Sequence, residues 1–171
     1  MAYTPFSVVY DSFLSKITDD AYMEMTYEET LNILEDLLIT AIQKFEFPRI
    51  ALDYDLKKQT RMVRHPGTNE DVPVSEIVMV FLNELTTEEI NILSTYMIVE
   101  WLGQQLASVE LVRMKYSGSD FKFTSQANHM QKLLQMKKDY EREGFHLQRL
   151  YSRRKKDDNG VYRSTFGKIM G

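Results

Sequence analysis

Three histidines, His65, His129 and His146, are the first candidates for proton transfer or metal ligation. His65 precedes Pro66 in a turn-like run, and His129 and His146 lie seventeen residues apart in one helical pattern, too far apart to share an ion. No His-Glu-x-x-His or other ligand spacing occurs. The chain has no cysteine, which excludes disulfides, thiolate metal sites and a cysteine nucleophile. The acidic pairs Glu28-Glu29 and Glu88-Glu89 could in principle do acid–base work. Both pairs fall in helical first turns, where carboxylates complement the helix N-terminus, so a structural role accounts for them. No glycine-rich run precedes a helix, so neither nucleotide fingerprint is present. Spacing alone does not exclude a serine triad, but no serine has an evident His and Asp in support. The expectation is a non-enzymatic protein without cofactor or metal.

One segment has a different chemistry. Arg153, Arg154, Lys155 and Lys156 are consecutive bases, with Tyr151 before them and Tyr162 after. Bases neutralise phosphates and aromatic rings stack on nucleobases, so a small nucleic-acid-binding module is one reading. Against it, the chain is acidic overall, with a net charge of −4, and has no recognisable reader motif. The charge is also uneven. Residues 1–50 carry nine acids and three bases, whereas residues 130–171 carry five acids and eleven bases. Such polarity points to head-to-tail self-association or to an anionic partner at the basic end, and a solvated helix face is the plain alternative.

The elements that must position these residues are mostly helical. Phe6, Val9, Tyr10, Phe13, Leu14 and Ile17 form one helical face behind Pro5. Thr26 and Glu29 form a capping box ahead of Leu31, Leu34, Leu37, Leu38, Ala41, Ile42 and Phe45, and Pro48 prevents continuation. A second box, Thr86 to Glu89, opens a third helix whose stretch Tyr96–Leu102 is apolar nearly all round, as in a central bundle helix. Ser117-Gly118-Ser119-Asp120 breaks the chain. Thr124 or Ser125 then caps a long last helix reaching about Arg154, with Gly144 inside it and Asn159-Gly160 as a bend beyond it. Residues 49–85 differ: they alternate, contain the turn cluster His65–Asn69, and are β-branched around Ile77–Leu82. The ten methionines mostly fall on or near apolar stripes and read as core filler.

The expected fold class is therefore mainly α. A bundle of about four helices spans residues 1–154, with a small β-hairpin or extended-arm insertion at about 49–85. An extended C-terminal docking arm follows at 155–171. Those last residues cannot build a core of their own, so another chain is expected to hold them. Tyr162, Phe166 and Ile169, with Val161, would be the apolar anchors. Arg163 and Lys168 stand beside them, and Tyr151 and the four bases at 153–156 complete the expected partner-binding set. No apolar run approaches the roughly 18 residues of a membrane span, and no leader-like segment is evident, so folding in the cytoplasm is expected.

Three stretches carry a family resemblance: TPFSVVYDSFLSKITDD, LLITAIQKFEFPR, and LNELTTEEINILSTYMIVEWLGQQLASVELVRMKYSGSDFKFTSQANHMQKLL. The most specific part is the spacing from Glu88-Glu89-Ile90 to Val99-Glu100-Trp101-Leu102, then Phe123 to Ser125-Gln126-Ala127-Asn128-His129. They resemble neck proteins of tailed bacteriophages that infect Gram-positive bacteria; the resemblance extends over about two thirds of the chain and is weakest over residues 55–80 and after Arg154. The resemblance implies a head–tail connector, or adaptor. Such a protein forms a ring beneath the portal protein, here expected as a dodecamer, and extends its C-terminal arm into the portal. A head-closure or tail-side neck protein docks below, and DNA passes through the lumen without sequence-specific binding. The implied location is the virion neck, assembled in the host cytoplasm. Another neck or tail component, such as a head-closure or tail-completion protein, is the nearest alternative.

Overall fold

A computed structural model describes residues 3–17, 25–64, 71–116, 123–156 and 162–164 of the chain. Strand β1 (Thr4–Pro5) runs directly into helix α1 (Phe6–Leu14). Pro5 serves both elements, because its ring-fixed φ of −63° suits a strand end and a helix cap alike. Phe6, Val9, Tyr10 and Phe13 are the buried face of α1, spaced as the sequence pattern requires.

Helix α2 (Tyr27–Lys44) begins with the expected capping box. The Thr26 hydroxyl accepts from the Glu29 N–H at 3.3 Å, and the Thr26 N–H donates to Glu29 Oε2 at 3.0 Å. Leu34, Leu37, Leu38 and Ala41 are buried. Helix α3 (Thr87–Tyr116) is central: α1, α2 and the last helix, α4 (Phe123–Arg153), all pack on it. Every residue from Ile92 to Val99 is buried, Ser94 and Thr95 included, their hydroxyls bonding back to the Asn91 carbonyl, as suits a helix packed on several sides. Lys137 lies beside Gly103 and Tyr96 beside Gly144, so α3 and α4 run antiparallel.

Between α2 and α3 the chain leaves the helical layer as a long ribbon. Strands β2 (Tyr54–Arg64) and β3 (Asp71–Phe81) have eleven residues each and pair antiparallel from Tyr54↔Phe81 to Arg64↔Asp71. β1 joins the base of β3 through Thr4↔Phe81 and Pro5↔Val80, giving a three-stranded sheet of order β1-β3-β2. Beyond α4, β4 (Arg154–Lys156) pairs antiparallel with β5 (Tyr162–Ser164).

This arrangement corrects the expected mainly α bundle: the fold is α+β. The hairpin was expected in the right place but is a major element. Its alternation reads weakly because most of the ribbon is open on both faces, so no buried core of the same chain enforces a strict period of two. The expected extended arm also differs at its start, since residues 154–156 and 162–164 pair with each other instead of running on as single strands.

Candidate functional site

The expected partner-binding residues meet first at the C-terminal end of α4. Tyr151 belongs to the core, 1 % exposed, and is not available to a partner. Its hydroxyl donates to Glu89 Oε1 and accepts from the Arg49 N–H at 2.9 Å. The Arg49 guanidinium stacks 3.7 Å from the Tyr151 ring centre and donates to the Tyr151 carbonyl. Phe45 meets the same ring edge-on, with centroids 5.4 Å apart. Burial is the first cause that pushes the Tyr151 phenol pKa up, and its bond to Glu89 adds to the rise.

Glu89 explains why this site is built into the start of α3. One carboxylate oxygen, Oε2, accepts from the Thr86 N–H at 2.6 Å and from the Thr86 hydroxyl at 2.9 Å. The other oxygen accepts from Tyr151. A local capping motif thus also holds a residue sixty-two positions away. The neighbouring Glu88 accepts from Arg49 at 3.2 Å and pairs with Arg154. Gln148 extends the network: its amide donates to Tyr96 Oη at 2.6 Å and to the Lys44 carbonyl at 2.9 Å, and it accepts from the Glu46 N–H at 2.9 Å. The spacing of Glu89 was legible as a cap. Its second partner was not, because nothing local links position 89 to position 151.

The basic run therefore divides. Arg153 ends α4 and is exposed, and Arg154 starts β4 and is tied to Glu88 within the chain. Lys155 and Lys156 lie on β4, and Tyr162 and Arg163 on β5, with the register Lys155↔Arg163 and Lys156↔Tyr162. Val161, Phe166, Lys168 and Ile169 lie outside the described residues. Acids of the middle of the chain take up bases from both ends: Glu88 pairs with Arg154 of the basic end and with Arg49, and Glu100 pairs with Lys44.

A polar cluster that sequence reading missed joins α1 to α3. Lys16 Nζ donates to Asn91 Oδ1 and to Ser94 Oγ, each at 2.7 Å, and Ser12 Oγ lies 3.1 Å from Ser94 Oγ. Burial lowers the Lys16 pKa, opposed by Glu143. Lysine beside serine resembles a base and a nucleophile, but Ser94 is fully buried and its hydroxyl also back-bonds to the Asn91 carbonyl. The cluster acts as a polar staple. Beside it a cleft of about 370 Å³ is bordered by Ser12, Asn91, Leu147, Leu150 and Arg154. His129 and His146 are exposed on α4, His65 lies outside the described residues, and no metal-binding group of three His, Asp or Glu forms among the described residues.

The ribbon supplies the most unusual surface. Its base is anchored by the Phe6 ring, 5.3 Å from Tyr54 and 4.6 Å from Phe81. Outward from there, one face carries Leu56 opposite Met79, Ile77 opposite Lys58, and Met62 opposite Pro73. Leu56 is 60 % exposed, Met62 62 % and Ile77 70 %. A cavity of about 300 Å³ lies where this face meets α1 and α2, bordered by Tyr10, Leu31, Glu35, Leu56 and Met79. Burial, reinforced by Glu35, raises the Tyr10 pKa there.

No helix among the described residues is long and apolar enough to cross a membrane. No family model matches the chain, and neither a curated protein nor a solved structure matches it.

Proposed function

We propose that the chain is a structural virion protein, a head–tail connector that forms a ring beneath the portal in a phage neck. The particular family rests on the sequence resemblance over 4–20, 37–49 and 82–134. The observation that carries an assembly role is the ribbon. A two-stranded hairpin is marginal by itself in water, and this one is anchored only at its base while exposing Leu56, Met62 and Ile77. Large exposed apolar side chains along one projecting element mark a surface made to be covered.

In this reading the ribbon packs against a neighbouring subunit. The C-terminal segment docks to the portal, using Arg153, Lys155, Lys156, Tyr162, Arg163 and the residues beyond. A tail-side neck protein closes the ring below, and DNA slides through the lumen. The role is mechanical and has no catalytic step.

The test uses the phage that encodes the chain. Disrupting the coding sequence should yield filled or leaking heads and separate, complete tails in lysates viewed by electron microscopy. Gold-labelled antibody to the chain should mark the head–tail junction of intact particles. Normal joined particles from the disrupted phage, or label confined to the tail tip, would overturn the reading.

A further inference from the structure

Helices α2 and α4 present exposed faces of opposite charge. On α4, Lys138, Arg142, Phe145, Arg149 and Arg153 recur at intervals of three and four, which at 3.6 residues per turn confines them to an arc of about 80°. All five are exposed, and Phe145, in the middle, is 52 % exposed. The acids of α4 stand beside this ridge: Glu141 pairs with Lys137 at 2.8 Å, Asp139 touches Arg142 at 3.5 Å, and Glu143 acts on Lys16. The result is an apolar anchor in a basic rim, bordering a shallow groove with His146.

On α2 the exposed outward residues are Glu28, Asn32, Asp36 and Gln43, within an arc of about 80°, with half-buried Glu35 at its edge turned toward Tyr10. The one base of α2, Lys44, turns to Glu100. Ile39 lies half-buried within the same arc, an apolar seat of the kind Phe145 requires. Both faces are exposed in the one chain, so neither covers the other.

We propose that the basic ridge of α4 docks on the acidic face of α2 in a second copy of this chain. The two faces are different, so the contact is head-to-tail and leaves one free face at each end of a dimer, as ring growth requires. Charge complementarity of this kind sets register and partner choice. The inference rests on the ring reading above and assigns its subunit interface. A nucleic-acid role for the ridge is the competing outcome of the test.

The absence of cysteine makes the test clean. One chain carries Asn32→Cys, on α2, and another carries His146→Cys, on α4; both positions are exposed. A mixture treated with a short bismaleimide should give a covalent dimer that neither chain gives alone. Adding Arg142→Glu and Arg149→Glu to the His146→Cys chain should cut the yield roughly tenfold or more. Adding Glu28→Lys and Asp36→Lys to the Asn32→Cys chain should restore it. Circular dichroism checks that each variant folds. No dimer in the mixture, equal dimer from either chain alone, or a yield indifferent to charge reversal would overturn the interface. Duplex binding that depends on Arg142 and Arg149, without cross-linking, would assign the ridge to nucleic acid. Rings seen by electron microscopy that survive the charge reversals would sink this interface and leave the connector reading standing.

Discussion

Tyr151 holds three elements with one hydroxyl: the residues after α2 through Arg49, the start of α3 through Glu89, and its own helix α4. Tyr151→Phe keeps the ring and its packing but leaves a buried carboxylate oxygen and a backbone N–H without their partner. A loss of about 1–3 kcal/mol is expected in urea unfolding, with the m-value unchanged. A loss near zero would mean that water replaces the hydroxyl and that the network is not what closes this end. The buried phenols also set an alkaline limit. Tyr10, Tyr96 and Tyr151 all have raised pKa values, with burial the first cause in each. The unfolded chain releases tyrosine protons near pH 10 while the folded chain retains them. Their contribution is therefore complete below about pH 10 and lost as pH rises further. Urea midpoints should hold steady up to that point and then fall, and the fall should be shallower in Tyr10→Phe and Tyr151→Phe. A midpoint that holds flat well above pH 10 would count against it.

Two glycines separate local preference from packing at the scale of the helix pair. Gly103 and Gly144 both sit in helix interiors, where alanine is favoured by roughly 1 kcal/mol. A Cβ at Gly103 would meet only Lys137 Cε, at 3.5 Å, an ordinary contact. A Cβ at Gly144 would lie 2.9 Å from Cζ of Tyr96, whose hydroxyl is held by Gln148. Gly103→Ala should therefore stabilise the protein by up to about 1 kcal/mol, and Gly144→Ala should destabilise it by about 1–3 kcal/mol. Equal effects at the two sites in thermal melts would show that α3 and α4 can separate without cost. In the sequence Gly144 reads only as a flaw in the helix; the close approach of Tyr96 is its reason. The caps, by contrast, were legible outright, since Thr26–Glu29 and Thr86–Glu89 depend on neighbours three residues apart.

Among the described residues the helices pack as a layer from which the β2–β3 ribbon projects. The base of the ribbon shares the core through Phe81 and Val80, whereas its outer part rests on the β2–β3 ladder. Hydrogen exchange on the dilute chain should be slow at residues 54–56 and 79–81, and markedly faster at 58–64 and 71–77. Assembly should slow the outer set. Uniform protection along the ribbon in the monomer would remove the argument that a neighbour must cover it. Ile77→Thr should change monomer stability by less than about 0.5 kcal/mol while weakening assembly.

By itself the sequence determined the helices, the full capping box at Thr26 and the Glu89 half of the one at Thr86, the central character of α3 and the position of the hairpin, because each depends on residues within a few turns of one another. It also carried the acidic start and the basic end. Tertiary structure alone decided how that charge is used. Part of the basic charge closes within the chain, where Arg154 meets Glu88 of α3, and the remaining charge stays open as the separate faces of α2 and α4. The basic run Arg153–Lys156 changed most between the two views. As letters it is one cluster; in the fold it is a helix end, an internal ion pair and a strand. Partners sixty or a hundred residues apart are set by packing, and no local pattern encodes them.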